Sequence, residues 1–437
     1  MTIWVILMFL TLMAALLAGY PVAFTLGAVA LLYGSIFLGF EFFNLLPLQI
    51  WGVMTNFTLL AVPLFIFMGI VLDKSGLAED LLETMGLLFG RMRGGLALSV
   101  VLVGALLAAT TGVVGATVVT MGIIALPTML KRSYSPELAT GTIAAAGTLG
   151  QIIPPSVILI LLGDVIGVPV GRLFMGAVVP GLLLVVLFLI YIIVTAWLRP
   201  ETAPALKAGE GQHLIARVIF SLMPPLILVI GVLGSIFFGI ASPTESAAIG
   251  ALGAMLLAAA HRRLTLTNLK EATRHTTRLT SMVFLILIGA TAFGLVFRGM
   301  GGDRMVLEVM SNLPGGNWGF LAVSMALIFT LGFFLDFLQI CFIVVPILSP
   351  IAANLGIDLL WLAVLIGINL QTSFLTPPFG FSLFYLKAVA PTGVKIHHIY
   401  KGIIPFVILQ VMTIILLILF PKIVSWLPDL SDRLQGL

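Results

Sequence analysis

The sequence predicts an all-α polytopic membrane protein, and three observations carry that prediction. Hydrophobic residues fill 61% of the 437 positions and charged residues only 9%, with a mean hydropathy of +1.24. Uncharged runs long enough to cross a bilayer recur at 1–40, 42–72, 94–130, 138–163, 173–198, 218–244, 279–297, 359–386 and 402–421. Basic residues fall between these runs rather than along one face, so the net charge of +4 marks no nucleic-acid surface. The single cysteine, Cys341, excludes an intrachain disulfide, and all five histidines lie in polar connecting segments. No nucleophile–base pair lies in the apolar segments, which argues against an intramembrane enzyme.

The first run has no Lys or Arg before it, so it reads as a retained span and not as a signal peptide. It breaks at Gly19-Tyr20-Pro21 into spans near 3–18 and 22–39. The run 45–71 carries Asn56 to Pro63 at its middle, and the proline with its polar neighbours predicts a re-entrant hairpin there. An amphipathic piece (77–93) leads to the stretch that organises the chain, 94–130. As one straight helix its 37 residues would run about 55 Å, against roughly 30 Å of hydrocarbon. It must break, most cheaply at Thr110-Thr111-Gly112 and Val114-Gly115-Ala116. Such a break is either a binding site or a kink whose small residues allow close packing. A polar turn (131–136) precedes 138–163, interrupted at Gln151-Ile152-Ile153-Pro154-Pro155-Ser156. A clean span (173–198) and a polar connector (199–217) follow.

After that connector the same order of events returns. Gly239 to Pro243 answers to Gly19-Tyr20-Pro21, and 280–297, with Gly289-Ala290-Thr291 at its tip, answers to the first hairpin. Gly315-Gly316 answers to Gly94-Gly95, and 321–346, interrupted at Gly332 to Asp336, answers to the broken helix. Thr376-Pro377-Pro378 answers to Ile153-Pro154-Pro155. The offset drifts only from 219 (Pro127 to Pro346) to 225 (Pro180 to Pro405). With the N-terminus outside, 15 Lys and Arg fall inside and six (74, 91, 93, 172, 422, 433) outside, Arg298 and Arg304 being counted inside. The repeats are then inverted, as in many secondary transporters. The predicted units are 1–198, with scaffold at 1–40 and 173–198 and a transport part at 45–165; a cytoplasmic linker, 199–217; and 218–437. The last holds scaffold at 218–260, a transport part at 276–390 and a C-terminal span at 400–421.

Half-helix ends near the midplane offer N–H groups to an anion, and freed carbonyls to Na⁺. Asp336, the one acid of an apolar stretch from 309 to 357, is either a cation or proton site or a carboxylate holding a helix start. Glu245, in Ser242-Pro243-Thr244-Glu245, reads as a capping box. Arg298 and Arg304 either meet a substrate carboxylate or anchor the chain at the cytoplasmic surface. Thr376 and Ser156, beside the proline pairs, add hydroxyl ligands.

At these residues the chain resembles the large membrane subunit of tripartite ATP-independent periplasmic (TRAP) transporters, the DctM type. The matching stretches are Leu59-Leu60-Ala61-Val62-Pro63 to Gly69, Ser75 to Ala78, Ala146 to Gly150 with Ile153-Pro154-Pro155-Ser156, and Ser242 to Ala248. Gly332 to Asp336, Gly356-Ile357-Asp358 and Leu375-Thr376-Pro377-Pro378-Phe379-Gly380 complete the set. The resemblance implies an elevator-type importer driven by Na⁺ in a bacterial inner membrane, with both termini periplasmic. It also implies a separate four-helix membrane subunit (DctQ type) and a periplasmic substrate-binding protein (DctP type) delivering an organic acid. A stand-alone Na⁺- or H⁺-coupled organic anion symporter is the alternative. Na⁺ is expected where Thr111, Gly112 and Val114 approach Leu60 and Pro63, and again between Gly332, Asp336, Thr376 and Pro378. Substrate is expected at Asn56, Thr58, Gly115, Thr117, Pro154, Pro155, Ser156, Thr291, Arg298 and Pro377. One departure stands out. The family's Ser-Gly-Ser-Ser break reads Thr111-Gly112-Val113-Val114 here, so two hydroxyls are missing.

Overall fold

Gly19 turns the chain with φ +87° between α1 (Thr2–Leu17) and α2 (Val22–Phe37), because only glycine takes that conformation without strain. The computed structural model describes residues 2–90, 92–111, 114–205, 214–378 and 380–435, and among these no strand occurs. Among the described residues, eight helices are long and apolar enough to cross a membrane.

One group of crossing helices forms a wall. A short α3 (Leu46–Met54) and a 3-10 turn at Phe57–Leu60 lead into α4 (Ala61–Lys74), which runs beside α12 (Pro243–Ala260). Thr244 donates to the Phe57 carbonyl at one end (2.9 Å), and Lys74 pairs with Glu271 at the other. The stretch expected as the first re-entrant hairpin is therefore a crossing helix. Pro63 sits in its first turn, where the missing N–H costs nothing.

The second expected hairpin, 280–297, is also corrected. It belongs to α13 (Leu266–Gly299), 34 unbroken residues and about 51 Å long. Gly289 is a close-packing glycine there and not a tip. A Cβ on it would lie 2.6 Å from the Ala23 carbonyl oxygen of α2. The two helices run parallel, with Gly34 against Val296 and Gly299 against Leu38. Amphipathic α5 (Leu77–Phe89) and α11 (Leu214–Phe237) close this wall, and α14 (Gly302–Ser311) follows α13.

The hairpins lie where single broken helices were expected. α6 (Gly95–Thr111) and α7 (Val114–Lys131) double back on each other: Leu96 N–H donates to the hydroxyl of Tyr134, just beyond α7 (3.2 Å). Gly104 of α6 and Val118 of α7 both press on the same turn of α8 (Pro136–Thr148), at Ala146 and Gly147. The second hairpin pairs α15 (Asn317–Leu331) with α16 (Phe337–Gln339), a π-helical turn at Ile340–Val344 and α17 (Val345–Asn354). Asn317 Nδ2 donates to the Leu355 carbonyl, closing its base (3.0 Å).

The broken helices are those with proline pairs. α8 passes through a 3-10 turn at Leu149–Gln151 into α9 (Val157–Ile166), and α18 (Leu359–Leu375) breaks before α19 (Phe381–Val389). Pro154-Pro155 and Pro377-Pro378 are both cis. α10 (Val170–Leu198) and α20 (Ile396–Leu419) pack on this group, with Phe188 edge-on to Phe406. α21 (Lys422–Gln435) is pinned by Arg172–Asp432 at 2.9 Å.

The hairpins enter from opposite ends. Gly94 N–H donates to Ala203 O beside the first base, whereas Trp361 Nε1 donates to Leu417 O near the second. Four basic residues change sides from the sequence reading as a result. Arg93 lies at the Ala203 end, and Lys74, beside Glu271, lies there too. Arg298 and Arg304 lie at the opposite end, because α13 crosses without turning back. The charge asymmetry survives: Lys131, Arg132, Arg199, Arg262, Arg263, Lys387 and Lys395 gather at one end.

Candidate functional site

Each hairpin tip meets a helix break. At the first tip, a Cβ on Gly150 would lie 3.3 Å from the Ala108 carbonyl oxygen, and one on Gly147 would overlap Val118. The tip is thus pressed on the turn that precedes Pro154-Pro155. A Cβ on Gly115 would sit 3.1 Å from the ring of Tyr385, on α19. Thr111 ends α6 and Val114 opens α7, while Gly112 lies outside the described residues. Thr117 is buried on α7.

At the second tip Gly332 abuts the hydroxyl of Ser373, leaving no room for a Cβ. Asp336 caps α16: its carboxylate accepts from Phe337 N–H (2.7 Å), and Gln339 Oε1 accepts from Asp336 N–H (3.2 Å). The helix-start reading of Asp336 therefore holds as geometry. A capping carboxylate keeps lone pairs to spare, so a cation ligand remains compatible with it. Phe374 spans the joint, 6.5 Å from Phe337 and 5.0 Å from Phe381. Tyr385, packed against the first tip, also lies within electrostatic reach of Asp336 at the second.

The hydroxyls around the breaks are oriented alike. Ser156 donates to Gln151 O (3.0 Å), Ser373 to Leu370 O (2.9 Å) and Thr376 to Thr372 O (2.7 Å). Each donates its proton to backbone, which leaves its oxygen with lone pairs able to accept. A neutral set of hydroxyls, one carboxylate and freed carbonyls suits a hard monovalent cation. Among the described residues no cluster of three His, Cys, Asp or Glu could hold a metal ion by side chains alone.

Asn56, Thr58 and Leu60 lie in the turn that leads into α4, and Pro63 lies in the first turn of that helix. There Asn56 Nδ2 bonds Asp164 and its Oδ1 accepts from Thr58 N–H (2.9 Å). Leu60 is 45% exposed. Pro154, Pro155, Pro377 and Pro378 lie in the breaks themselves.

Thr291 and Arg298 instead share a separate cavity of about 220 Å³ with Gln49, Asp303 and Pro346. It lies between α13 and the outer arm of the second hairpin. Burial pushes the Asp303 carboxyl above its ordinary value, and Arg298 opposes that push. Glu245 is the capping residue the sequence announced, bonded to Ser242 N–H at 2.8 Å.

Sequence reading missed Tyr385, Ser373 and Gly147. Ser373 precedes Thr376 by one helical turn, a spacing that could have disclosed it; nothing local marks Tyr385.

Two re-entrant hairpins meeting two broken helices, within a shell of crossing helices, define a multi-pass α-helical membrane protein of transporter architecture. The fold aligns with the YdaH transporter of Alcanivorax borkumensis at a TM-score of 0.65 and 13% identity, over 93% of this chain and 97% of that one. At that identity the likeness concerns the fold alone. The family described as tripartite ATP-independent periplasmic transporter, DctM component, matches residues 9–423. A C4-dicarboxylate TRAP transporter large permease protein DctM of Pseudomonas aeruginosa is 30% identical, over 88% of this chain and 89% of its own length. An ectoine TRAP transporter large permease protein TeaC of Halomonas elongata is 29% identical, over 98% and 99%. The chain belongs to the DctM family of TRAP transporters, and its relatives are transport proteins, not enzymes.

Proposed function

We propose that this chain imports a small carboxylate-bearing organic anion, coupled to Na⁺, by moving the hairpins and broken helices as one body against a fixed wall. The observation that carries the reading is the meeting of both hairpin tips with both helix breaks around Tyr385 and Asp336. The C4-dicarboxylates and ectoine in the relatives' names share a carboxylate, which supports the substrate class. One Na⁺ is held by carbonyls of the first tip, Thr111 and the turn 147–151. The other is held between Gly332, Ser373, Thr376, Pro378 and Asp336. The substrate lies between, near Gly115, Thr117, Pro154, Pro155, Ser156 and Pro377, and reaches the site past Thr291 and Arg298.

The wall comprises α1, α2, α4, α5 and α11 to α13. The moving body takes in α10 and α20, which pack on the hairpins and breaks. This partition moves 173–198 to the moving body, and 57–74 and 276–299 to the wall. An inverted repeat is supported by reciprocal packing: Gly402 presses on Glu137 and Gly141, while Gly176 presses on Leu360. Positions 137 and 360 differ by 223, within the offset read from the sequence, and 176 and 402 differ by 226, one position beyond it. Family membership supports a separate four-helix subunit and a periplasmic binding protein as partners, in a bacterial inner membrane with both termini periplasmic.

Uptake into proteoliposomes tests this. Radiolabelled dicarboxylates, ectoine and 2-oxo acids are offered with and without a Na⁺ gradient, small subunit and binding protein. Uptake requiring all three is the expected outcome; proton-driven uptake without the binding protein would refute it.

A further inference from the structure

Where the two broken helices cross, three glutamines are fully buried and short of partners. Gln151 closes the 3-10 turn after α8, and neither its Oε1 nor its Nε2 has a hydrogen bond. Gln371, on α18, donates Nε2 to Thr148 Oγ1 (3.4 Å) but leaves Oε1 unpaired. Gln410, on α20, has both amide atoms unpaired. α20 runs parallel to α8, with Thr140 at the His398 carbonyl and Gly141 against Gly402. That register brings Gln410 level with the turn at 149–152. All three side chains are 0% exposed.

A buried amide atom without a partner costs about 1–3 kcal/mol, so five such atoms on neighbouring, mutually packed elements demand an occupant. Their chemistry selects it. Three are acceptor oxygens and two are N–H₂ donors. A cation would satisfy the oxygens and oppose the donors, and an anion would do the reverse. Water both donates and accepts, and two to four polar partners hold one firmly. We propose that Gln151, Gln371 and Gln410 hold a small cluster of ordered water molecules that ties the two helix breaks and α20 into one body.

Thr148 and Gln371 are 223 positions apart, the spacing of Pro154 and Pro377. Contact between equivalent positions is what a pseudo-two-fold axis through the cluster requires.

The test is cryo-EM of the intact transporter, with its small subunit, in Na⁺ and in choline buffers. The resolution must show ordered waters elsewhere in the protein. Expected are peaks at about 2.7–3.2 Å from the unpaired amide atoms, equally strong in both buffers. A peak that needs Na⁺ and binds only oxygens would replace water with a cation. Glutamines that pair directly with one another, leaving no peak, would overturn the proposal outright. As a second readout, Q151M and Q371M each lower the melting temperature. The double variant loses less than the sum of the two, because one water cluster is lost once. Additive losses would mean that the glutamines act separately.

Discussion

The two hairpins are alike in shape and unlike in chemistry. Both double back beneath a helix break, each pressed so close that a glycine is needed at the contact, Gly147 in one case and Gly332 in the other. The first tip, 111–114, carries no charge and one hydroxyl residue. The second carries Asp336 and presses Gly332 on the α18 break, where Ser373 and Thr376 lie. On the proposed reading the first tip leans on backbone to hold an ion, and the second adds a formal charge. Two ion sites built so differently should fail differently.

The largest effect is expected at the charged tip. Asp336→Ala removes both cap and carboxylate, and should weaken Na⁺-dependent uptake about tenfold or more in apparent Na⁺ affinity, as a lost charge-assisted contact would. Asp336→Asn keeps the cap. A Na⁺ titration of uptake unchanged in this variant would reduce Asp336 to a helix-start residue and erase the contrast between the tips.

Next come the contact glycines. Gly147→Ala and Gly332→Ala should each cost roughly 1–3 kcal/mol of stability through overpacking, read as a lower melting temperature. Both should also shift the Na⁺ titration, Gly332→Ala more strongly, because it displaces the Ser373 hydroxyl. Equal shifts in both variants would mean that the tips share one mode of ion binding.

Thr111→Val should change Na⁺ affinity less than Asp336→Asn if, as proposed, carbonyls carry the first site. A larger change would reverse the ranking of the two tips.

The smallest effect concerns the outer cavity. As pH falls through the raised value of Asp303, the carboxylate is neutralised and Arg298 is left unopposed. Apparent KM for an anionic substrate should then fall toward acid pH, and Asp303→Asn should flatten that profile. A profile unchanged in the variant would remove Arg298 from the substrate's path.

Proline pairs and the Thr-Gly and Gly-Phe breaks were legible in the sequence, because proline and glycine state locally that a helix stops. Which breaks are hairpins was not. A hairpin differs from a kinked span only in the side from which the chain leaves, and that depends on partners such as Tyr134 for Leu96 and Leu355 for Asn317. Gly289 misled for the same reason. Its glycine serves contact with Ala23 across the bundle, not a turn within its own helix. Pro63 misled because a proline in a first turn and a proline in a break look alike until the helix start is known.

The length of α13 sets a relation between this protein and its lipid. At about 51 Å it overreaches a hydrocarbon layer of roughly 30 Å, while the arms of the first hairpin, 17 and 18 residues long, are each about half that length. The bilayer therefore meets a perimeter of unequal height. The first turns of α13 carry Lys270 and Arg274 to where phosphate headgroups begin. Membrane thickness thus acts on the wall directly and on the hairpins only through it. Acyl-chain length in the reconstitution becomes an experimental variable, able to tilt α13 and so alter the frame along which the hairpins must travel.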